Sequence, residues 1–328
     1  MKLMEIKQWV RIEIDRTKMF SEFLHDYRNY KKWNYNNPKI KTLGAQESKI
    51  LRQTHIIEKG LSLSNPRKGF GQQKIDKLFS LLDEYVKYGF NTDNIPFQNA
   101  IQVLNEYDRI QKTLDYINPE LEDKLANYQK YITRTLNAGI IHSTWYETKT
   151  TLEAPFPIFF PNRHSIRQFS TQEVNLGDIE KAVKLAQKAP TACNRQACRV
   201  YYYDDKQTNK KLGELIAGNT GFEDEVQKYL VITADISAFY DTFERNQMYV
   251  EAGLFSMALI ESLHYYGIAS CILQNGEYHK KNLKFKEICG NIPENEKIII
   301  FIAIGYYKDE FNYAVSQRKD LNEVLIIK

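Results

Sequence analysis

The sequence predicts an α+β protein in which an all-helical region precedes a domain of alternating helices and strands. Residues 1 to about 140 show helical periodicity and almost no strand signal, whereas strand-like apolar runs alternate with helical patterns after residue 160. Residues 153–161 contain three prolines, which cannot continue a helix and therefore indicate a linker. We expect a helical region over residues 1–150 and the α+β domain over residues 151–328.

In the helical region, apolar residues recur every three or four positions in two segments, residues 75–88 and residues 100–116. The first face contains Leu78, Leu81 and Leu82, and the second contains Ile101, Leu104 and Ile110. These faces need apolar cover, which they could give one another or find on the second domain. We favour the second domain, because the linker is short.

The helical region also contains a histidine and a glutamate, His55 and Glu58, on one helix face. Such a pair could bind a metal or accept a proton. No second cluster of ligand-type residues accompanies it, so a buried polar pair that anchors the helix is the favoured interpretation.

In the second domain, Asn175 is placed to cap a helix that ends at Pro190. Four segments are predicted as strands: residues 199–203, 229–234, 269–273 and 298–304. The last is continuously apolar, which is typical of a sheet covered on both faces. Residues 250–263 form a helix that is apolar nearly all round, so we expect it to be buried in the domain or in a subunit interface.

Composition excludes several classes of protein. No stretch of about 18 apolar residues occurs, so we expect no membrane association and a cytoplasmic location. The four cysteines lack CxxC spacing, which fits a reducing compartment and gives no metal site or disulfide framework; they are Cys193, Cys198, Cys271 and Cys289. The formal net charge of +4 is too small to indicate nucleic acid.

Residues 1–60 nevertheless have an excess of Lys and Arg over Asp and Glu, and aromatic residues lie between these charges. The aromatic residues are Tyr27, Tyr30, Trp33 and Tyr35. Such a pattern can stack on single-stranded nucleic acid. A solvated helix face with some interface tyrosines is the more common origin, and we expect no nucleic-acid partner.

Three short polar segments carry candidate chemistry, and the first is residues 163–167, Arg-His-Ser-Ile-Arg. Arg163 and Arg167 could place two guanidinium groups around one phosphate, with the hydroxyl of Ser165 between them. A polar linker segment would explain the same residues.

The second segment lies between a predicted helix and a predicted strand. After Pro190 it offers a hydroxyl at Thr191 and amides at Asn194 and Gln196, which could recognise the donor and acceptor edge of a flat heterocycle. An ordinary polar turn is the alternative. The third segment follows the apolar strand, where Gly305 permits close approach of backbone or ligand and Arg318 supplies another cation for a phosphate.

In this order and spacing, the three segments resemble the nitroreductase superfamily of FMN enzymes over residues 161–328. The resemblance implies an FMN-binding domain with a central, mostly antiparallel sheet flanked by helices. It implies that the FMN phosphate is bound by Arg163, Ser165, Arg167 and Arg318, with a backbone contact from His164. It further implies that Pro190, Thr191, Asn194 and Gln196 lie along the ribityl chain and ring.

The resemblance implies two further contacts. A backbone N–H after the third strand faces flavin N5, a role that falls on Asn275 or Gly276, and an asparagine that contacts the pyrimidine corresponds to Asn219, for which a turn residue is the alternative. Thr191 replaces the usual Ser and keeps the hydroxyl. Ala197 and Cys198 replace the usual Pro and aromatic residue, which affects substrate contacts more than the FMN pocket.

By the same resemblance, the protein is an oxidoreductase that takes a hydride from NAD(P)H and passes it through FMN to a small-molecule acceptor of nitro, quinone or enone type, or to a biosynthetic intermediate. The family implies ping-pong exchange, a homodimer with FMN at the interface and no catalytic side chain. Residues 51–72 resemble a helical extension found before some nitroreductase-like domains. The alternative is a flavin-binding or flavin-free interaction protein whose helical half docks a partner.

Overall fold

The computed structural model describes residues 3–33, 37–239, 242–276 and 279–328. Tyr35, which belongs to the basic and aromatic pattern above, lies outside the described residues. The first part of the chain is helical, as expected. Its helices are α1 (Leu3–Trp33), α2 (Leu43–Leu61), α3 (Gln72–Lys87), α4 (Ile95–Thr113) and α5 (Pro119–Tyr128).

The rest of the chain contains strands and helices in alternation. The strands are β1 (Ile140–Thr144), β2 (Cys198–Tyr202), β3 (Lys228–Asp235), β4 (Ile268–Gln274), β5 (Glu296–Tyr306) and β6 (Glu310–Ala314). The helices are α6 (Trp145–Lys149), α7 (Phe156–Phe159), α8 (Leu176–Ala186), α9 (Lys206–Leu215), α10 (Gln247–Tyr265), α11 (His279–Cys289) and α12 (Leu321–Val324).

Helices α2 to α5 share one hydrophobic core, to which the predicted apolar faces belong. Leu78, Leu82, Ile101 and Leu104 are fully or almost fully buried in this single cluster, together with residues of α2 and α5. The two faces are therefore covered within the helical region. The expectation that they pack on the second domain is wrong, because α2 lies between them and supplies the missing apolar surface.

The central sheet is antiparallel throughout, with strand order β2-β3-β5-β4. The predicted α+β class and antiparallel sheet are confirmed. Apolar side chains project from both faces of the inner strands: Leu230 and Ile302 pack with α8 and α10, whereas Val231 and Ala303 pack on the other side. The continuous apolar run of β5 is thus explained by a sheet that has a core on each face.

A second sheet of two strands pairs β1 with β6, so that Ile140 faces Ala314 and Thr144 faces Glu310. Neither strand was predicted. Trp145, directly after β1, stacks on Tyr307 with 5.5 Å between ring centroids. Residues 140–145 therefore pack with the C-terminal part of the chain.

The proline-rich segment is not free of helix, in contrast to the expectation from the sequence. It contains α7, a single turn in which Pro157 lies among the first two positions. Proline is compatible with the first turn of a helix, because the N–H groups there have no partner within the helix. The segment is therefore a short helical connection.

Helix α10 is half covered. Ala252, Leu259 and Leu263 are buried against the sheet, whereas Val250, Leu254 and Met257 on the other face are 52%, 44% and 37% exposed. Burial within the domain accounts for only one face of the apolar helix. No helix in the described ranges is both long and apolar enough to cross a membrane.

Polar contacts join the helical region to the sheet domain. Near the end of α2, Lys59 Nζ donates to Gly218 O (3.0 Å), and Gln168 Nε2 donates to Ser62 O (2.7 Å). Ser64 donates to a Glu225 carboxylate that also accepts from Lys308 Nζ. The end of α2 is thereby held against the domain that carries the three polar segments.

Candidate cofactor site

Residues 163–169 lie along the edge of the central sheet beside β4. Ile166 N donates to Ser270 O (3.0 Å), and Ser165 pairs with Ser270 as an isolated bridge. Ile166 and Phe169 are buried, which anchors the segment at two points. The polar side chains between these anchors therefore have a defined position.

Arg163 is paired with an acid that the sequence analysis did not single out. Its Nε donates to Glu261 Oε1 at 2.8 Å, and both side chains are largely buried. Burial raises the pKa of Glu261, against the opposing effect of Arg163. The bond uses one of the five N–H donors of the guanidinium, so donors remain for a ligand.

Arg167 is the most buried cation of the segment, with 5% of its surface exposed. Its Nη1 donates to Ser165 O at 3.3 Å, and its Nε has no hydrogen-bond partner among the described residues. A buried donor without a partner is destabilising by about 1–3 kcal/mol, and more for a charged group. The site is therefore suited to an additional acceptor.

His164 connects this segment to the C-terminal arginine. Its ring stacks on Tyr313 with 3.8 Å between centroids. Burial, together with the positive charges of Arg163 and Arg318, lowers the pKa of His164 to about 4. Arg318 thus lies close enough to act on the same ring as Arg163. The fold brings the predicted phosphate-binding residues into one positively charged region.

Behind this region lies a buried polar group that the sequence analysis also missed. His264 Nδ1 is 2.9 Å from the hydroxyl of Tyr307, and burial lowers the pKa of His264 to about 4, with a further contribution from Arg163. Glu261 and His264 both lie on α10. Polar residues in an otherwise apolar helix were the signal that could have identified them.

The second polar segment forms a tight loop. Thr191 Oγ1 accepts from Gln196 N (3.2 Å), and Asn194 Oδ1 accepts from Gln196 Nε2 (3.2 Å). Cys193, Asn194 and Gln196 all have left-handed backbone, with φ of 52°, 57° and 52°. Non-glycine residues rarely adopt this conformation, which is concentrated at functional sites. Pro190 and these polar side chains line an open cleft.

Within one chain, the polar loop after Pro190 and the arginine segment contact α10 at different positions along the helix. Ala192 N donates to Glu251 Oε1 (2.8 Å), whereas Arg163 donates to Glu261. Ten residues of helix separate the two glutamates, which corresponds to about 15 Å along the axis. The loop with Thr191, Asn194 and Gln196 is therefore not gathered around the arginines of its own chain.

The remaining predicted site residues, Asn219 and Asn275, form hydrogen bonds with other groups of the chain. Asn219 is buried and directs its Nδ2 to Gly213 O (2.7 Å) and to the hydroxyl of Tyr229 (3.2 Å). Asn275 Nδ2 donates to Ile298 O (2.9 Å), and its Oδ1 has no partner among the described residues. The pyrimidine contact of Asn219 and the N5 contact of Asn275 or Gly276 stay predictions.

Two further expectations concern Gly305 and the pair His55 and Glu58. A Cβ on Gly305 would lie within 2.8 Å of the Phe169 side chain, so a protein side chain and no ligand makes the close approach. His55 Nδ1 lies 3.4 Å from Glu58 Oε2, and Glu58 is buried while His55 is partly exposed. In the part of the chain that the structure describes, no three His, Cys, Asp or Glu residues form a metal-type cluster.

Comparisons with known proteins give a family match for the second half of the chain. Residues 161–306 match the model of the Nitroreductase family. A putative NADH dehydrogenase/NAD(P)H nitroreductase of Archaeoglobus fulgidus is 27% identical over 154 residues, which cover 46% of this chain and 84% of that protein.

Among solved structures, a putative nitroreductase in complex with FMN from Desulfovibrio desulfuricans is 18% identical, with a TM-score of 0.46, and covers 54% of this chain and 98% of its own. A putative NADH oxidase from Clostridium acetobutylicum is 21% identical, with a TM-score of 0.45, and covers 52% and 99% of the two chains.

Proposed function

We propose that the protein is an FMN-dependent oxidoreductase that moves a hydride from NAD(P)H to a small-molecule acceptor, because residues 161–306 match the Nitroreductase family. The observation that carries the proposal is that Arg163 and Arg318 both lie near His164, while Arg167 contacts the backbone of Ser165 in the same segment. Within this group of side chains, Glu261 is the acid paired with Arg163, so the balance of charge favours an anion.

The residues present fit the phosphate of FMN. Arg167 offers a buried Nε without a protein partner, and Arg163 keeps the guanidinium donors that Glu261 does not use. Ser165 adds a hydroxyl. His164, whose pKa is lowered to about 4, is neutral at pH 7 and adds no charge of its own. Bound FMN would supply the hydride transfer, which no side chain here performs.

The acceptor in this proposal carries a nitro, quinone or enone group, or is a biosynthetic intermediate. NAD(P)H and the acceptor use the same face of the flavin in turn, which gives ping-pong kinetics. The chain supplies orientation and electrostatics, and the N–H of Asn275 or Gly276 is assigned to flavin N5.

We further propose a homodimer. The exposed apolar face of α10 needs cover, and the loop of Thr191, Asn194 and Gln196 lies at another level of this helix than the arginines. A second copy packed on α10 would bring its own loop towards the arginines of the first. Sedimentation should give about twice the 38.5 kDa chain mass. Leu254→Asp should give the monomer mass, and an unchanged dimer would exclude α10 as the interface.

A second candidate is an interaction protein whose helical half docks a partner. One observation favours it: α1 exposes large apolar side chains, among them Trp9, Phe20 and Phe23. A visible spectrum of the purified protein separates the two candidates. Bound flavin that NAD(P)H bleaches and that co-migrates with FMN after release supports the oxidoreductase. Absence of flavin after reconstitution with FMN contradicts it.

A further inference from the structure

The end of α2 contacts the candidate cofactor site from outside the matched family domain. Lys59 Nζ donates to Gly218 O at 3.0 Å, and Ser62 O accepts from Gln168, the residue directly after Arg167. Lys59 belongs to the helical region, whereas the family match begins at residue 161. Two polar contacts thus fix a lysine of the extension beside the segment that carries the arginines.

Lys59 and Arg167 are electrostatic neighbours. The pKa of Lys59 is lowered, first by burial and then by the positive charge of Arg167. Burial raises the pKa of the Cys271 thiol, and the positive charges of Arg167, Lys59 and Arg163 act in the opposite direction. These side chains therefore lie near one another at the edge of β4.

No carboxylate is among the described groups that act on the Lys59 ammonium. Some other cations of the helical region are paired with acids, as are Arg109 with Glu106 and Lys124 with Glu120. Two neighbouring cations without an acid repel each other, and burial strengthens the repulsion. An anion bound between them would remove that repulsion and would give Arg167 Nε an acceptor.

We infer that Lys59, from the helical region, and Arg167, from the family domain, together hold one anionic group of the bound flavin. The inference rests on the proposed FMN function. Two parts of FMN have this chemistry: the terminal phosphate, and the N1–C2=O2 edge of the ring, which becomes negative on reduction. In either case the helical extension contributes a binding residue to the cofactor site.

The test compares three variants of the full-length chain. Lys59→Met removes the charge and keeps much of the side-chain volume, and Lys59→Arg keeps the charge. Arg52→Met is the matched control, because it removes an exposed cation from the same helix. For each apoprotein, the dissociation constants of FMN and riboflavin are measured by titration, and the midpoint potential is measured on the FMN-loaded protein.

If the anion is the phosphate, Lys59→Met should weaken FMN binding about ten- to hundredfold and leave riboflavin binding unchanged. If it is the ring edge, both flavins should bind more weakly, and the midpoint potential should become more negative. A tenfold lower preference for reduced over oxidised flavin corresponds to about 30 mV for a two-electron couple. Lys59→Arg should retain most of the affinity, and Arg52→Met should match the parent.

Equal flavin affinities and equal potential in Lys59→Met and the parent would overturn this inference alone. A lower melting temperature without any flavin effect would have the same meaning, because it would show that Lys59 only anchors α2 to Gly218. A parent protein that binds neither flavin would overturn the proposed function and this inference together.

Discussion

The helical region and the sheet domain bury their apolar surface in different ways. Helices α2 to α5 enclose one continuous core, in which Leu82 and Leu104 are completely buried. The sheet domain has a core on each face of its sheet, yet α10 still exposes Val250 and Leu254. The comparison teaches that helices α2 to α5 complete their core alone, whereas α10, like α1, has apolar surface left for association.

The two regions also differ in where positive charge is concentrated. Salt bridges on the helical region pair lysines and arginines with nearby acids, as for Lys112 with Asp108 and Glu122. The sheet domain forms such pairs as well, as for Arg195 with Glu244, but it also gathers Arg163, Arg167 and Arg318 around a single segment that has Glu261 as the acid paired with Arg163. Unbalanced charge is therefore concentrated where the family resemblance places the cofactor.

The largest effect is expected from a change in the self-contained core. Leu104→Ala should lower the free energy of unfolding by about 2–5 kcal/mol, because it leaves a cavity among fully buried side chains. Leu254→Ala, on the exposed face of α10, should change it by less than about 0.5 kcal/mol at concentrations where the chain is monomeric. Urea unfolding of both variants measures the two changes in the free energy of unfolding. Equal changes would contradict the distinction between the buried core of α2 to α5 and the exposed face of α10.

Acid should weaken the sheet domain through its two buried histidines. The pKa values of His164 and His264 are lowered to about 4, whereas an unfolded histidine titrates near 6.5. Above pH 6.5 both states are neutral. Between pH 6.5 and 4 only the unfolded state takes up these protons, so stability falls as pH falls, by up to about 1.4 kcal/mol per pH unit for each histidine.

Urea unfolding between pH 7.5 and 4.5 measures this slope. His264→Gln should remove the contribution of one histidine and make the slope shallower, whatever its effect on stability at pH 7.5. If the variant has the same slope as the parent, His264 does not contribute to the pH dependence of the free energy of unfolding.

The smallest effect is expected at the exposed edge of the cationic region. Arg318→Ala should weaken FMN binding about tenfold, since it removes one charge-assisted contact to the phosphate. Riboflavin affinity and the free energy of unfolding should stay near those of the parent, because Arg318 is exposed. The corresponding change at Arg163 would be harder to interpret, because it leaves the carboxylate of Glu261 buried without its partner. An FMN affinity unchanged in Arg318→Ala would remove this residue from the phosphate site.

Elements with strong local patterns were predictable from the sequence. The strands β3 and β5 are long apolar runs, and Asn175 caps α8 as predicted, by accepting from Gly177 N. The strands β1 and β6 were not predictable, because each is short and partly polar and is stabilised by pairing with a segment about 170 positions away. Non-local pairing leaves little trace in a local pattern.

The residues of the candidate site were also predictable only in part. The residue types at 163–167 and Arg318 predicted a cationic region, and the fold brings them together. Lys59 could not be assigned to it, because the pattern of α2 predicts only a helix, and the signal for Glu261 was limited to its being a polar residue in an apolar helix. The packing of α2 and α10 against the sheet decides these contacts, and that packing depends on surfaces from distant parts of the chain.

Gly305 in β5 determines where the cationic segment lies. The Phe169 side chain occupies the space that a Cβ at this position would need, and Phe169 also pairs with Tyr307 on the same side. Any larger residue at position 305 would push Phe169, and with it the backbone of residues 163–169, away from the sheet. The position of the segment that carries Arg163 and Arg167 therefore depends on the smallest residue of a central strand, so a substitution there would alter the cationic region without changing any of its charged side chains.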